Sequence, residues 1–343
     1  MRRTTDMNGF LFGKFDTGAE VRGFTIKNSV AEADIITFGA AITRLCIYGT
    51  DVIGGYDSLD AYLADDSHQG AVIGRVANRV GEACFEMDGQ TYSLPKNDGD
   101  NCLHGGVGFD RRVWEVVSAS DSEITLTYRS RDGEEGFPSA VDVLVTYRLE
   151  GTALTIDYKA IPDGKTPIAL TNHAYFNLNG LGGDVLGHTA EIFADRYTAV
   201  DGELIPTGER PAVSGTPFDF NTPHMIGERL GAELDGYDHN YLLCPTEVKE
   251  FGGKRLALAA RIGGEHIAMS VYTDQPGIQF YTGNFLCGAP DFKGGIKRIK
   301  HGAFCLETQT EPNCIKRGEG FYRAGEVYTH TTVYEFERKE VTE

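Results

Sequence analysis

Residues 141–149 read Val-Asp-Val-Leu-Val-Thr-Tyr-Arg-Leu, and residues 153–159 read Ala-Leu-Thr-Ile-Asp-Tyr-Lys. Apolar side chains fall on every second position, so each segment is a strand with one face on a core and the other toward solvent or a groove. The same period recurs at 124–128 and 331–336. Between such runs stand Asp-Gly pairs at 88–89, 132–133, 163–164, 201–202 and 235–236, which suit hairpin and loop turns. Helical signals are few: Ser58 caps a short helix over Leu59–Ala64, and Pro223 opens a helical turn or two before Gly231. Alternating strands also argue against a parallel α/β sheet, whose strands would be continuous apolar runs separated by longer helices. The expected fold is all-β, a large antiparallel β-sandwich with a few short helices.

Composition agrees. Glycine accounts for 43 of 343 residues, and one stretch alone, 109–132, exceeds twenty residues without Gly or Pro. Interior glycine costs ~1 kcal/mol in a helix, which argues against long helices and solenoids. With 41% hydrophobic residues the chain can bury a core, and no apolar run is long enough to span a bilayer. The net charge of −18 disfavours nucleic acid and anionic membrane as partners, because both are bound largely through Lys and Arg. Seven scattered cysteines without a Cys-x-x-Cys pair read as free thiols. Residues 1–6 show no secretion signal, so a cytoplasmic location is expected. No linker or repeat divides the sequence, and a single domain over residues 1–343 is expected.

Three strand-like segments carry unusual polar groups opposite their apolar ones. In 168–175, Ile168 and Leu170 point one way, His173 and Tyr175 the other. In 304–309, Glu307 opposes Phe304 and Leu306; in 278–284, Gln279 and Tyr281 oppose Ile278 and Phe280. Such faces suit a polar ligand gripped by a sheet, although a lone strand histidine or glutamate is more often structural or solvated. Two arginines, Arg75 and Arg79, lie in the Gly-bounded stretch 74–81, where the plain alternative is surface ion pairing. His104 stands against a Gly-rich turn, and Asp238 lies in the aromatic, acidic stretch 235–241. Neither GxGxxG nor GxxxxGK[ST] occurs, so nucleotide binding has no support, and no His-x-His or His-Glu-x-x-His spacing supports a metal.

Together these segments resemble the aldose 1-epimerase (galactose mutarotase) family. The resemblance rests on Gly-Arg-Val-Ala-Asn-Arg at 74–79, Leu-His-Gly-Gly at 103–106 and Thr-Asn-His-Ala-Tyr-Phe-Asn-Leu at 171–178. It continues with Gly-Tyr-Asp-His-Asn-Tyr at 236–241, Gln-Phe-Tyr-Thr-Gly-Asn at 279–284 and Cys-Leu-Glu-Thr-Gln at 305–309, and spans about residues 10–336. It implies a β-supersandwich that interconverts the α and β anomers of a free aldose in an open groove. By the same resemblance Glu307 is the general base and His173 the general acid. Asn78, Arg79, His104, Asp238 and Gln279 bind the sugar, and neither cofactor nor metal is expected. The implied partner is a monosaccharide, and the implied assembly a monomer or homodimer.

The sequence departs from the family pattern at 310–314, Thr-Glu-Pro-Asn-Cys, and at Asn221 and His224. The first departure is expected at the groove rim. Two other readings stand beside the mutarotase: a non-catalytic sugar-binding or regulatory paralogue, and a hexose-6-phosphate 1-epimerase, which would need basic residues committed to a phosphate.

Overall fold

The computed structural model describes residues 9–339, so the expectation drawn from residues 1–6 lies outside them. The segments read from the 141–159 pattern become the middle of a ten-stranded sheet. Val141–Glu150 pairs with Ala153–Pro162 in unbroken antiparallel register, and Ala153–Pro162 pairs in turn with the last strand, Tyr328–Arg338. The inward set Val143, Val145, Tyr147, Leu154, Ile156 and Tyr158 is buried, as the alternation requires.

A second sheet of five strands lies across this one in the order Tyr175–Phe176, Phe304–Gln309, Gly277–Tyr281, Asp238–Leu243, Ala194–Tyr197. Phe176, Phe304, Leu306, Ile278, Phe280 and Tyr241 join the same core cluster as the inner residues of the large sheet. The two layers are thus a sandwich whose contact is made by one face of each sheet. The opposite face of the smaller sheet carries Glu307, Gln279, Asn240 and Asp238. A further five-stranded sheet is formed by residues 10–51.

Ser58 caps Leu59–Ala64 as expected, its Oγ accepting from the Ala61 N–H at 3.3 Å. The helical turn expected after Pro223 does not form. His224–Met225 instead pairs with Thr189–Ile192, and residues 226–229 make a turn, so strand pairing prevails over the proline signal. The single strand expected over 168–175 is broken in two. Thr171–Asn172 pairs with Val72–Ile73, whereas Tyr175–Phe176 pairs with Phe304–Gln309. His173 lies at the crossing between the two ladders, its backbone bonded to Ala71 and Gly70 at 3.0 Å each.

The two arginines of 74–81 take different fates. Arg75 is buried rather than paired at the surface: its guanidinium donates to the carbonyls of Pro138, Ser139 and Arg131 and to the hydroxyls of Ser130 and Thr166. Five neutral oxygens therefore hold one charge inside the protein and fasten residues 130–139 to the Arg79 loop. The His104 loop is fastened to the same point. Gly105 has φ of +79°, and a Cβ there would lie 2.6 Å from the Gly74 carbonyl oxygen, so only glycine lets the two loops approach.

Arg75→Met should cost about 2–4 kcal/mol of stability, because it strands several buried acceptors. Urea unfolding should show a lower midpoint at unchanged slope.

Candidate active site

Register puts the polar groups together. Glu307 lies directly across from Gln279, and Gln279 directly across from Asn240. Tyr281 occupies the neighbouring rung, opposite both Cys305 and Asp238, and Tyr175 pairs with Cys305. Since directly opposed residues share a face, Asp238, Gln279, Tyr281, Glu307 and Tyr175 all project from the side away from the core.

Loops bring the remaining groups over this face. Asn78 and His104 both have left-handed backbones, φ +60° and +55°. They bond reciprocally: the His104 N–H donates to the Asn78 carbonyl at 3.1 Å, and the Asn78 N–H donates to His104 Nδ1 at 3.2 Å. Strained non-glycine backbone held by such a double contact is characteristic of a functional loop. Arg79 is held by Asp98, Nε to Oδ2 at 2.7 Å, and its Nη1 lies 3.8 Å from Asp238 Oδ2.

The result is an open polar cavity over this face, with about 630 Å³ of empty space that includes its mouth to solvent. Of the seven residues expected, Asn78, Arg79, His104, His173, Asp238 and Glu307 line it. Gln279 does not; it is buried, its Nε2 donating to Asp238 Oδ1 at 2.7 Å. The cavity also exposes groups that pattern reading missed: His68, Asp66, Phe285 and Arg298. His68 had no signal beyond being a histidine two positions before a glycine. None of residues 310–314 lines the cavity, so that departure does not form its rim as expected. Instead Asn313 Oδ1 accepts from the Gly81 N–H at 3.1 Å, while Glu311 is tied to Arg210 and Arg317.

His173 Nε2 is 3.7 Å from Glu307 Oε1, and both side chains are almost wholly enclosed. Burial, reinforced by the Asp238 carboxylate and opposed by Arg79, raises the Glu307 carboxyl well above its ordinary value. Burial, followed by the charge of His68, pushes the His173 imidazole down to about 3. Burial likewise leads the lowering of His104 and the raising of Asp238. Neutral forms are thus favoured on both members of the pair, which holds one proton across a wide pH span. Glu307 Oε2, on the cavity wall, is buried without a protein partner, the condition of a group that faces a polar ligand or water.

Donor atoms of His104, His173 and Glu307 lie within 4.8 Å of one another. A metal would need a lone pair on the cavity-side nitrogen of His104. The Asn78 N–H already occupies the Nδ1 lone pair, which puts the ring proton on Nε2 and makes that nitrogen a donor. The residues fit a hydroxylated ligand better than a cation.

A family model described as Aldose 1-epimerase matches residues 22–335. A galactose mutarotase of Bos taurus is 40% identical over 340 residues, covering 95% of this chain and 97% of the relative. An aldose 1-epimerase of Escherichia coli (strain K12) is 36% identical over 337 residues, covering 93% and 96%. Among solved structures, a GalM/aldose epimerase homologue from C. elegans superposes with a TM-score of 0.84 at 27% identity, covering 93% of this chain and 100% of that one. A galactose 1-epimerase from Lactobacillus acidophilus NCFM gives 0.84 at 25% identity, covering 96% and 98%. On the family match and these relatives, the chain belongs to the aldose 1-epimerase family.

Proposed function

We propose that the protein is a mutarotase that interconverts the α and β anomers of free aldohexoses such as galactose or glucose, with Glu307 as general base and His173 as general acid. The observation that carries this reading is the enclosed His173–Glu307 pair, 3.7 Å apart on the floor of a polar cavity. Ring opening needs a proton taken from the C1 hydroxyl and one delivered to the ring oxygen. Glu307 takes the first and His173 gives the second, leaving an aldehyde. Rotation about C1–C2 presents the other carbonyl face, and closure returns both protons.

Burial favours this chemistry. The neutral pair becomes reactive when its shared proton moves from Glu307 to His173, giving carboxylate and imidazolium; ring opening returns both to neutral, so the charge separation that a low dielectric penalises disappears as the ring opens. His104 presents an Nε2–H to a sugar oxygen, and Arg79, steadied by Asp98, lends positive charge beside it. Asp238, oriented by Gln279, accepts from hydroxyls, and Asn78 offers its amide. No nucleophile or cofactor enters these steps.

Against the hexose-6-phosphate reading, both arginines lining the cavity already face carboxylates: Arg79 meets Asp98 and Asp238, and Arg298 meets Asp65 and Asp66. Buried residues from Phe24 to Phe336 share one core cluster, which supports the single-domain reading. All seven cysteines are free, in keeping with a reducing, cytoplasmic setting.

Polarimetry of freshly dissolved α-D-galactose and α-D-glucose tests the reading. Acceleration over buffer is expected, and much less of it with glucose 6-phosphate; no acceleration with either free sugar would reject an enzyme in favour of a binding paralogue. Glu307→Gln and His173→Asn should each lower kcat by about 10²–10⁴-fold while leaving the fold intact. Substitution of Arg79 or His104 should change KM together with kcat, because each positions the sugar as well as stabilising it.

The pH dependence follows from the proton count. The pair holds one proton from about 3, where His173 would gain a second, up to the raised value at which Glu307 loses its own. Thus kcat/KM should stay level across the ordinary imidazole range and fall only at the higher pH where Glu307 loses its proton. A sharp alkaline limb near the ordinary imidazole value of about 6.5 would show His173 titrating independently.

A further inference from the structure

His68 is the third imidazole of the cavity, 4.7 Å from the His104 ring and 5.8 Å from that of His173, centroid to centroid. Its position is built, not incidental. The backbone is left-handed at φ +58°, and the loop around it is wrapped on the buried Asp65 carboxylate, which accepts from the N–H groups of Ser67 and Gln69 and from the hydroxyls of Ser67 and Tyr56. Its Nδ1 lies 2.8 Å from Oδ2 of Asp110, a carboxylate with a side chain only 3% exposed. Arg111 Nε lies 3.3 Å from the same oxygen.

This contact decides the tautomer. A carboxylate accepts, so Nδ1 carries the hydrogen and the lone pair of the neutral ring falls on Nε2. Among the described residues no side chain or backbone group bonds Nε2, and the atom is not sealed off. In His104 the arrangement is reversed, because the Asn78 N–H takes Nδ1 and leaves Nε2 as the donor. The cavity therefore sets a donor imidazole against an acceptor imidazole. That combination matches a hydroxyl, or two adjacent hydroxyls, which both accept and donate.

We propose that His68, held by Asp110, is a further substrate-binding residue that accepts a hydrogen bond from one particular sugar hydroxyl and so sets preference among aldoses. The proposal rests on the mutarotase reading and adds to it a residue that reads the hydroxyl pattern rather than moving the reacting protons.

Anomerically pure parent sugar and its 2-, 3-, 4- and 6-deoxy analogues test it, with kcat/KM measured for wild type and His68→Phe, which keeps an aromatic ring but no nitrogen. His68→Phe should lose about 5–10-fold on the parent sugar and on every analogue but one; on the analogue lacking the partner hydroxyl the loss should vanish. Asp110→Asn should reproduce the pattern more weakly, and carries the same test should His68→Phe fail to fold. An equal loss on every sugar, or no loss on any, would overturn the role of His68. Failure of wild type itself to accelerate any of the sugars would instead overturn the mutarotase reading.

Discussion

The strand Phe304–Gln309 is buried at all six positions, and the site depends on that double burial. Phe304 and Leu306 must meet the large sheet on one side, while Cys305 and Glu307 point the other way, where Glu307 forms part of the cavity floor. Side-chain alternation leaves no intermediate register: a slip of one residue would drive the Glu307 carboxyl into the core and lift leucine into the cavity. The Tyr334 hydroxyl, bonded to the Leu306 carbonyl at 3.0 Å, and the Thr308 hydroxyl, bonded to His330 and Thr332, hold the strand in place from below. The hydrophobic requirement of the sandwich is thus what fixes the position of the proposed base.

Placing an ionisable pair on that floor has an electrostatic consequence. Neither the carboxylate nor the imidazolium is well solvated alone, so each shifts toward its neutral form. A single shared proton is the economical state of such a pair, and a sugar that opens and closes its ring needs one proton moved in each direction. In the proposed mechanism the surrounding groups hold oxygen atoms without forming bonds to carbon. Asn78 fixes the tautomer of His104, Asp98 steadies Arg79, and Gln279 turns Asp238 toward the cavity. These contacts orient the groups that line the cavity, and rigidity is supplied by the sheet and by the Arg75 clamp.

Much of this was legible in the sequence. The strict period at 141–159 and 331–336 reports local strand conformation directly, and those strands appear where they were expected. The Ser58 cap is similarly local. What escaped was set by distant parts of the chain. His173 was expected within one strand, but ladders to Val72–Ile73 and to Phe304–Gln309 compete for its two flanks and break it there. Arg75 and Arg79 look alike in sequence; their separation depends on where the carbonyls of 131–139 fall. Gln279 was expected against the sugar; its amide is bonded to Asp238 and it does not line the cavity. His68 had no period, partner or motif to mark it, because its meaning comes from Asp110, which lies on another loop.

Exchange NMR on an equilibrated aldohexose in deuterated buffer tests the account most directly. With catalytic protein present, the H1 signals of the α and β anomers should show exchange cross-peaks, and H1 itself should persist, because protons move only between oxygens and the Glu307–His173 pair. Absence of exchange, or loss of H1 into the solvent, would contradict it, the second by revealing chemistry at carbon that this pair is not proposed to perform.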